Sequence, residues 1–213
     1  MPAIANDARF WDRIARKYAA DPIADMIGYE RTLARTRDHL KPADYVLEIG
    51  CGTGATALKL AASVSHYVAS DIAPEMIAIA KEKVATEGKT NMTCEVATPE
   101  NAHWPDASFD AVLAFNLLHL VKARGAALQN VQRVLKPGGL FISKTPCLKE
   151  MNPFILLAVP LMQAIGKALF VTGFTAEQLE REIAAAGFAI VERDRHGSRG
   201  KDARIFLIAR KAV

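Results

Sequence analysis

Tyr45-Val-Leu-Glu-Ile-Gly-Cys-Gly-Thr-Gly-Ala55 is the stretch of this 213-residue chain that decides its fold. Val46, Leu47 and Ile49 form a short apolar run, which is typical of a parallel strand buried on both faces. Alternating glycines follow at once, and residues 55–62 have the pattern of the first turns of a helix. Such glycines let a backbone approach a ligand closely, while the helix presents N–H groups to it. The stretch therefore predicts a ligand site at the carboxyl end of a buried strand.

An acid marks the end of this strand. Glu48 stands two residues before Gly50, where its carboxylate would repel a phosphate and favours hydroxyl groups or a cation. We therefore expect a nucleoside ligand without phosphates. An NAD-dependent oxidoreductase stays an alternative, because Gly50-x-Gly52-x-x-Ala55 also has the spacing of the dinucleotide fingerprint.

The run VLEIGCGTG, residues 46–54, closely resembles the first motif of class I S-adenosylmethionine-dependent methyltransferases, and further similarity continues as far as Arg210. The resemblance implies S-adenosyl-L-methionine as cofactor and S-adenosyl-L-homocysteine as product. It also implies methyl transfer to an oxygen, nitrogen, sulfur or carbon nucleophile of a small molecule. A non-catalytic nucleoside-binding module is a further alternative, because no residue is assigned with certainty to the acceptor.

Composition narrows the functional class. The net charge is +4 and the pI about 9.0, but no basic stripe is interleaved with aromatic residues, so we expect no nucleic-acid partner. Cys51, Cys94 and Cys147 are too scattered for a disulfide framework or a metal site. The first residues lack the apolar segment of a secretory signal, so we expect a cytoplasmic protein.

Strand and helix patterns alternate after residue 43. Strands are predicted at 45–49, 67–70, 92–96, 109–115, 140–144, 189–194 and 204–209, and helices at 55–63, 74–87, 123–135 and 175–186. The alternation indicates an α/β protein with a three-layer, doubly wound, mostly parallel sheet of seven strands. The last two strands have the spacing of a hairpin. The resemblance implies that this hairpin adds an antiparallel strand, as in the Rossmann-like methyltransferase fold.

Residues 1–42 are predicted to form a helical cover ahead of the domain at 43–213. Apolar residues at helix spacing predict helices at 10–20 and 24–40, with a break at the Asp21-Pro22 pair. The resemblance implies that Tyr18 and Arg31 bind the cofactor's methionine carboxylate. Arg35 and Arg37 compete with Arg31 for that role.

Asp71 ends the second predicted strand, where a carboxylate can accept hydrogen bonds from both ribose hydroxyls. It could also cap the helix that follows, and the two roles can coexist. The resemblance places Ile72 and Met76 near adenine and ribose. Relatives usually carry an aspartate at the position of Thr98, so the contact to the adenine amino group is expected to weaken, or to pass to Glu100 or the backbone.

Residues 109–120 are predicted to lead from the fourth strand to the mouth of the site. The resemblance places Asn116 and Leu117 against the methionine part of the cofactor. His119 follows, where a neutral imidazole could take a proton from an attacking nucleophile. A purely structural role for His119 is the stronger interpretation.

The resemblance thus assigns the cofactor site to Tyr18, Arg31, Glu48, Gly50, Cys51, Gly52, Thr53, Gly54, Asp71, Ile72, Met76, Thr98, Pro99, Glu100, Asn116 and Leu117. His119 is the candidate catalytic residue, on the chemistry of its imidazole. No metal is expected.

Residues 151–171 form a long apolar stretch interrupted by Pro160, Gln163 and Lys167. Three interpretations stay open: an apolar cover over a lipophilic substrate, a homodimer interface, and a helix that touches a membrane surface. The resemblance favours the first, because relatives insert a substrate cover at this point, here about residues 147–174.

Overall fold

Seven strands form one sheet in the order β3-β2-β1-β4-β5-β7-β6. The computed structural model describes residues 2–100, 103–151, 170–198, 202 and 204–213, with side chains from Asn6 onward. The strands are β1 Tyr45–Ile49, β2 His66–Asp71, β3 Met92–Val96, β4 Phe109–Phe115, β5 Leu135–Pro146, β6 Phe188–Asp194 and β7 Arg204–Lys211. The helices are α1 Pro2–Ala20, α2 Met26–His39, α3 Ala55–Ala61, α4 Pro74–Thr86, α5 Arg124–Val134 and α6 Ala176–Ala185, with a short 3-10 helix at Leu148–Glu150.

The sheet confirms the predicted fold class. Strands β3, β2, β1, β4 and β5 pair in parallel, whereas β7 pairs antiparallel with both β5 and β6. Dinucleotide-binding domains place β6 directly beside β5 in a parallel sheet. The inserted antiparallel β7 therefore separates this fold from theirs.

Two apolar clusters cover the two faces of the sheet. One packs α5 and α6 against the sheet and includes Leu47, Phe141 and Leu207, while the other packs α2, α3 and α4 and includes Val46 and Phe206. Consecutive residues of β1 thus face opposite layers, because side chains alternate along a strand. Each fully buried large apolar side chain contributes about 1.5–3 kcal/mol to folding.

Helix α1 lies on α4 rather than on the sheet. Ala15 is fully buried against Met76 and Ile79, and Trp11 packs beside them. At the surface, the Arg16 guanidinium donates to Glu75 Oε1 at 2.8 Å and to both Glu82 oxygens at 2.8 and 2.9 Å. Apolar packing and a branched ion pair together position α1 beside the carboxyl edge of the sheet.

Most element boundaries lie within two residues of the predicted ones, and the two largest differences are in α1 and β5. Helix α1 begins at Pro2 instead of residue 10, because the apolar spacing starts late while proline suits a first helical turn. Strand β5 begins at Leu135, so the Lys-Pro-Gly-Gly sequence at 136–139 is a bulge inside the strand and not a turn before it. Proline lacks the N–H that regular strand pairing needs, which favours a bulge there.

Helix α2 is fixed to the loop after β6 by its own N-terminus. The Asp25 carboxylate accepts from the backbone N–H groups of Gly28 and Ser198, both at 2.9 Å. A Cβ on Gly28 would lie 2.5 Å from Asp25 Oδ2 and 2.6 Å from the His196 carbonyl oxygen. The close approach of helix and loop therefore requires glycine at this position.

We predict that Gly28→Ala destabilises the protein by about 1–3 kcal/mol, since the added methyl group must push the loop away. Gly125→Ala is the matched control, because a Cβ there meets nothing within 4 Å. The control should be neutral or stabilising by up to about 1 kcal/mol, as alanine is the better helix former. Urea unfolding of both variants measures this, and equal effects would contradict the proposed clash.

Candidate cofactor and substrate site

A cavity of about 290 Å³ opens at the carboxyl ends of β1, β2 and β4. Its position agrees with the site predicted from the glycine-rich turn after β1. The cavity is lined by Asp7, Trp11, Tyr18, Glu48, Gly50, Cys51, Gly52, Thr56, Asp71, Ile72, Met76, Ala97, Pro99, Glu100, Phe115, Asn116, Leu117, Leu120, Val121, Lys122, Ala123 and Phe170.

The glycine turn forms the floor of the cavity. Gly50 has φ of +69°, and a Cβ there would lie 2.7 Å from Leu117 Cδ1, so the site needs glycine for both conformation and space. Gly52 has φ of +55°, and the nearest atom to a Cβ would be Tyr18 Cε1 at 3.8 Å. The backbone of the turn is therefore exposed directly to a ligand.

Asp71 connects the turn to the second strand. Its Oδ2 accepts from the Gly52 N–H at 2.9 Å, and its Oδ1 accepts from the Ala73 N–H at 2.9 Å, just ahead of α4. The side chain is buried, and burial raises the pKa of the carboxyl group while the backbone donors oppose that rise. A carboxylate has about four lone-pair sites, so Asp71 can still accept from a ligand.

Glu48 is the second buried acid of the cavity. It lies between Ala69 of β2 and Leu113 of β4, and it is 2% exposed. Its Oε2 accepts from the Tyr67 hydroxyl at 2.8 Å. Burial raises the pKa of Glu48 from its ordinary value of 4.5 to about 7, against the stabilising effect of the Tyr67 donor.

Asn116 ends β4 in a conformation that few residues other than glycine adopt. Its φ is +53°, and its N–H donates to the Lys144 carbonyl of β5 at 2.7 Å. Asparagine tolerates this left-handed region better than most residues, and such outliers concentrate at functional sites. The bend turns the chain back over the glycine turn, where Leu117 contacts Gly50.

The loop after β3 forms another wall. The Asn130 side chain of α5 donates to the carbonyl oxygens of Pro99 at 3.2 Å and Glu100 at 2.7 Å, which fixes the loop backbone. Burial raises the pKa of the Glu100 carboxyl, the nearby Asp7 acts in the same direction, and Lys122 acts in the opposite one.

Helix α1 supplies the remaining wall. Asp7, Trp11 and Tyr18 lie on the helix face that lines the cavity. Asp7 Oδ2 forms an ion pair with Lys122 Nζ at 2.8 Å, and that amine lies 5.2 Å from the Phe170 ring centroid. The cavity thus combines aromatic walls with two buried carboxylates.

Comparison with known proteins agrees with this geometry. A protein family described as a methyltransferase domain matches residues 47–143, which include the glycine turn, Asp71 and the bend at Asn116. Residues 47–143 therefore carry a methyltransferase domain, in agreement with the predicted class I S-adenosylmethionine-dependent methyltransferase.

Similar proteins include one curated sequence relative and two solved structures. Demethylmenaquinone methyltransferase of Symbiobacterium thermophilum is 31% identical over 153 residues, which cover 68% of this chain and 59% of that relative. The S-adenosylmethionine-dependent methyltransferase of Mesorhizobium loti has a TM-score of 0.69 at 19% identity, covering 84% and 96% of the two chains. The cyclase SpnF has a TM-score of 0.71 at 21% identity, covering 87% and 81%. These solved structures show the shared fold.

The methyltransferase domain accounts for only part of many relatives. The aligned residues cover between 6% and 59% of the length of the curated relatives that match, which include polyketide synthases.

The fold brings most of the predicted residues to the cavity. Tyr18, Glu48, Gly50, Cys51, Gly52, Asp71, Ile72, Met76, Pro99, Glu100, Asn116 and Leu117 line it. Arg31, Thr53, Gly54, Thr98 and His119 are not among the lining residues.

Three of the predicted site residues that do not line the cavity contact other parts of the protein. Arg31 lies on α2 beside Thr32, which contacts Lys144 and His196. Burial lowers the pKa of Lys144 and of His196, and the charge of Arg31 acts in the same direction. Thr53 accepts from Lys83 Nζ through its carbonyl at 3.1 Å and its hydroxyl at 3.0 Å. A Cβ on Gly54 would lie 3.0 Å from Ala80 Cβ, so this glycine allows α3 to pack on α4.

His119 is a half-buried imidazole beside the site. Burial lowers its pKa to about 4, so it is a weak base near neutral pH. Its backbone carbonyl accepts from the Thr172 N–H at 2.7 Å, which holds the chain after the apolar stretch against the loop after β4. These contacts favour the structural interpretation.

Most of the predicted cover, residues 152–169, lies outside the described residues.

Several lining residues were missed from the sequence. Trp11 shares a helix face with Tyr18, so its helical spacing could have indicated it. Asp7 and Lys122 gave no such signal, because their ion pair joins segments 115 residues apart in the chain.

Two absences hold for the residues that the structure describes. These residues contain no group of three or more His, Cys, Asp or Glu side chains arranged to hold a metal ion. No helix among them combines the length and the apolar composition needed to cross a membrane.

We predict that Glu48→Gln stabilises the ligand-free protein more at pH 8 than at pH 5. The folded state holds the Glu48 proton up to about pH 7, whereas the unfolded chain releases it near 4.5, so wild-type stability falls as pH rises through this window. The difference between variant and wild type should grow by up to about 3 kcal/mol across it. Urea unfolding at both pH values measures this.

Glu177→Gln is the control, since that side chain is 76% exposed. Parallel pH profiles for Glu48→Gln and wild type would contradict the prediction.

Proposed function

We propose that this protein is a methyltransferase that binds S-adenosyl-L-methionine in the cavity after β1 and methylates a small molecule. The observation that carries the proposal is the pair of buried carboxylates beside an exposed glycine backbone. Glu48 and Asp71 lie at the tips of adjacent strands with Gly52 between them, and Gly52 donates to Asp71. This arrangement suits a nucleoside with hydroxyl groups and positive charge, and it disfavours a diphosphate.

The remaining lining residues fit the other parts of such a ligand. Ile72 and Met76 offer an apolar surface to the adenine base, and Asp71 offers acceptors to the ribose hydroxyls. Glu100 and Asp7 are the carboxylates beside the loop after β3, so we assign the adenine amino group to this end of the cavity. Asn116 and Leu117 then face the methionine part.

The chain's contribution to transfer is positioning. When bound, S-adenosylmethionine supplies a methyl group on a sulfonium sulfur, which is already a good leaving group. The bend at Asn116 and the wall from α1 hold the reacting groups and keep water out. Orientation of this kind can lower a barrier by up to roughly 7–11 kcal/mol. A general base is needed only where the nucleophile must lose a proton.

The acceptor that fits these walls is apolar or flat. Trp11, Phe115 and Phe170 provide aromatic surface, while Leu120 and Val121 provide aliphatic surface. The relative named for demethylmenaquinone supports a lipophilic acceptor, and the relative named for phosphoethanolamine shows that the family is not restricted to one.

Met151 and Phe170, at either end of residues 152–169, are 38% and 36% exposed. We propose that the intervening apolar stretch covers this acceptor. Membrane contact and dimerisation are the competing roles.

Binding of S-adenosylhomocysteine tests the cofactor assignment. We predict that Asp71→Asn weakens its binding by about 10- to 100-fold, since a hydrogen bond to a charged group contributes about 1.5–3 kcal/mol. Asp38→Asn, at an acid that is 61% exposed, should bind as wild type does. Calorimetry measures both affinities. Stabilisation of the protein by NADH and not by S-adenosylhomocysteine would overturn the proposal.

Transfer of a labelled methyl group to a panel of quinone, phenol, amine and thiol acceptors tests the reaction itself. We expect label on an apolar acceptor and its loss in Asp71→Asn. Tight binding without transfer to any acceptor would favour a nucleoside-binding module. It would also fit a different reaction on this fold, since the structural relative SpnF is named a cyclase.

A further inference from the structure

A hydrogen bond from Tyr67 engages one of the two carboxylate oxygens of Glu48. Tyr67 is fully buried and does not line the cavity, yet its hydroxyl donates to Glu48 Oε2 at 2.8 Å. One carboxylate oxygen is thus engaged inside the protein. The second oxygen belongs to a side chain that lines the cavity, so it can accept from a ligand.

The charges around Glu48 are mostly negative or neutral. Among the described residues that line the cavity, Asp7, Glu48, Asp71 and Glu100 carry carboxyl groups and Lys122 carries an amine, which is paired with Asp7. The ligand-free site therefore holds no amine close to Glu48 that would balance its charge. Burial alone makes ionisation of Glu48 costly, and the neighbouring Asp71 adds to that cost.

The groups that interact with Glu48 come from five parts of the chain. They are Tyr67 and Asp71 on β2, Tyr29 on α2, Tyr18 on α1, Cys94 on β3 and Cys51 in the glycine turn. The phenol and thiol groups have raised pKa values, so they stay neutral near pH 7. Burial raises the pKa of Asp71, and its two backbone donors oppose that rise. Glu48 is more deeply buried than Asp71, and its carboxyl group accepts a hydrogen bond only from Tyr67 among the described residues, so we take it as the group that responds to a ligand's charge.

We infer that Glu48, positioned by Tyr67, is the proton-linked counterion for the ligand's amino-acid ammonium group, so that cofactor binding expels a proton from the site. The inference rests on the proposed function and adds a role for Tyr67. In the empty site the Glu48 carboxyl holds a proton. An arriving ammonium favours the carboxylate, the proton passes to solvent, and the resulting ion pair is buried with a Tyr67 donor in place.

The direction of the pH dependence follows from this exchange. Below about pH 7 the empty site holds the Glu48 proton, and binding must release it. Affinity then rises by about tenfold for each pH unit up to that point and becomes constant above it. A site whose acid was already ionised would show no such slope between pH 5.5 and 7.

The experiment is calorimetry of S-adenosylhomocysteine binding to the full chain at pH 6 and pH 8. Each pH is measured in two buffers of different ionisation enthalpy, so that the number of protons released is obtained directly. We expect release of about one proton at pH 6 and of almost none at pH 8. Binding with no proton release at pH 6 would overturn the inference.

Two variants locate the proton. Glu48→Gln should release none at either pH and should bind with an affinity that does not change with pH. Tyr67→Phe removes the donor that favours the ionised form, so the midpoint of the pH dependence should move upward by about one unit. Tyr29→Phe is the matched control, because that half-buried hydroxyl contacts Thr56 Oγ1 at 3.2 Å instead of Glu48. Its midpoint should stay in place.

A purely structural tyrosine at position 67 would give weaker binding with an unmoved midpoint, and that result would overturn its positioning role. Saturating 5′-methylthioadenosine, which lacks the amino-acid part, should bind without proton release in the wild type. Equal release with both ligands would exclude the ammonium as the cause.

These outcomes separate the inference from the proposed function. If S-adenosylhomocysteine does not bind, both fail. If it binds without proton release, only the inference fails. If binding is proton-linked and no acceptor is methylated, the inference stands and the proposed reaction fails.

Discussion

The hydrogen bond from the Gly52 N–H to Asp71 Oδ2 is the contact on which the site depends. It joins the turn after β1 to the tip of β2, and the second oxygen of Asp71 joins that tip to the start of α4. One carboxylate therefore holds two backbone segments at a fixed spacing. Because the cavity lies between these segments, its floor is as rigid as the sheet beneath it. A ligand meets a surface that is already formed, which reduces the ordering cost of binding.

The sheet could be predicted from the sequence because short stretches of sequence indicate each strand and turn. A buried parallel strand is a continuous apolar run, and a strand-to-helix turn over a ligand needs glycine; both features occur within residues 45–55. The acids at the strand ends, Glu48 and Asp71, were found in the same way, and the resemblance added the antiparallel placement of the terminal hairpin. The ends of elements were predicted less accurately where no local pattern marks them. Helix α1, for example, begins at Pro2, eight residues before its apolar pattern.

The walls of the cavity were less predictable, because long-range packing determines them. Tyr18 and Arg31 were both predicted to bind the methionine carboxylate, and only the docking of α1 and α2 shows that Tyr18 lines the cavity and Arg31 does not. Thr32 accepts from Lys144 Nζ at 2.9 Å, so this stretch of α2 faces β5, whereas α1 lies across the cavity. Likewise, nothing in the spacing of Asp7 and Lys122 indicates that they meet. Residues that act through a neighbour, such as Tyr67, give no motif at all.

Helix α1 is held in two different ways along its length. Its middle is attached by apolar contacts through Ala15 and Trp11, while Asp7 and Arg16 attach it through charges that are partly open to water. Dissolved ions screen the charged contacts and leave the apolar ones nearly unchanged, whereas cooling weakens the apolar ones. Ionic strength and temperature thus act on different contacts of one wall. A brackish or a cold environment would loosen this side of the cavity through different contacts.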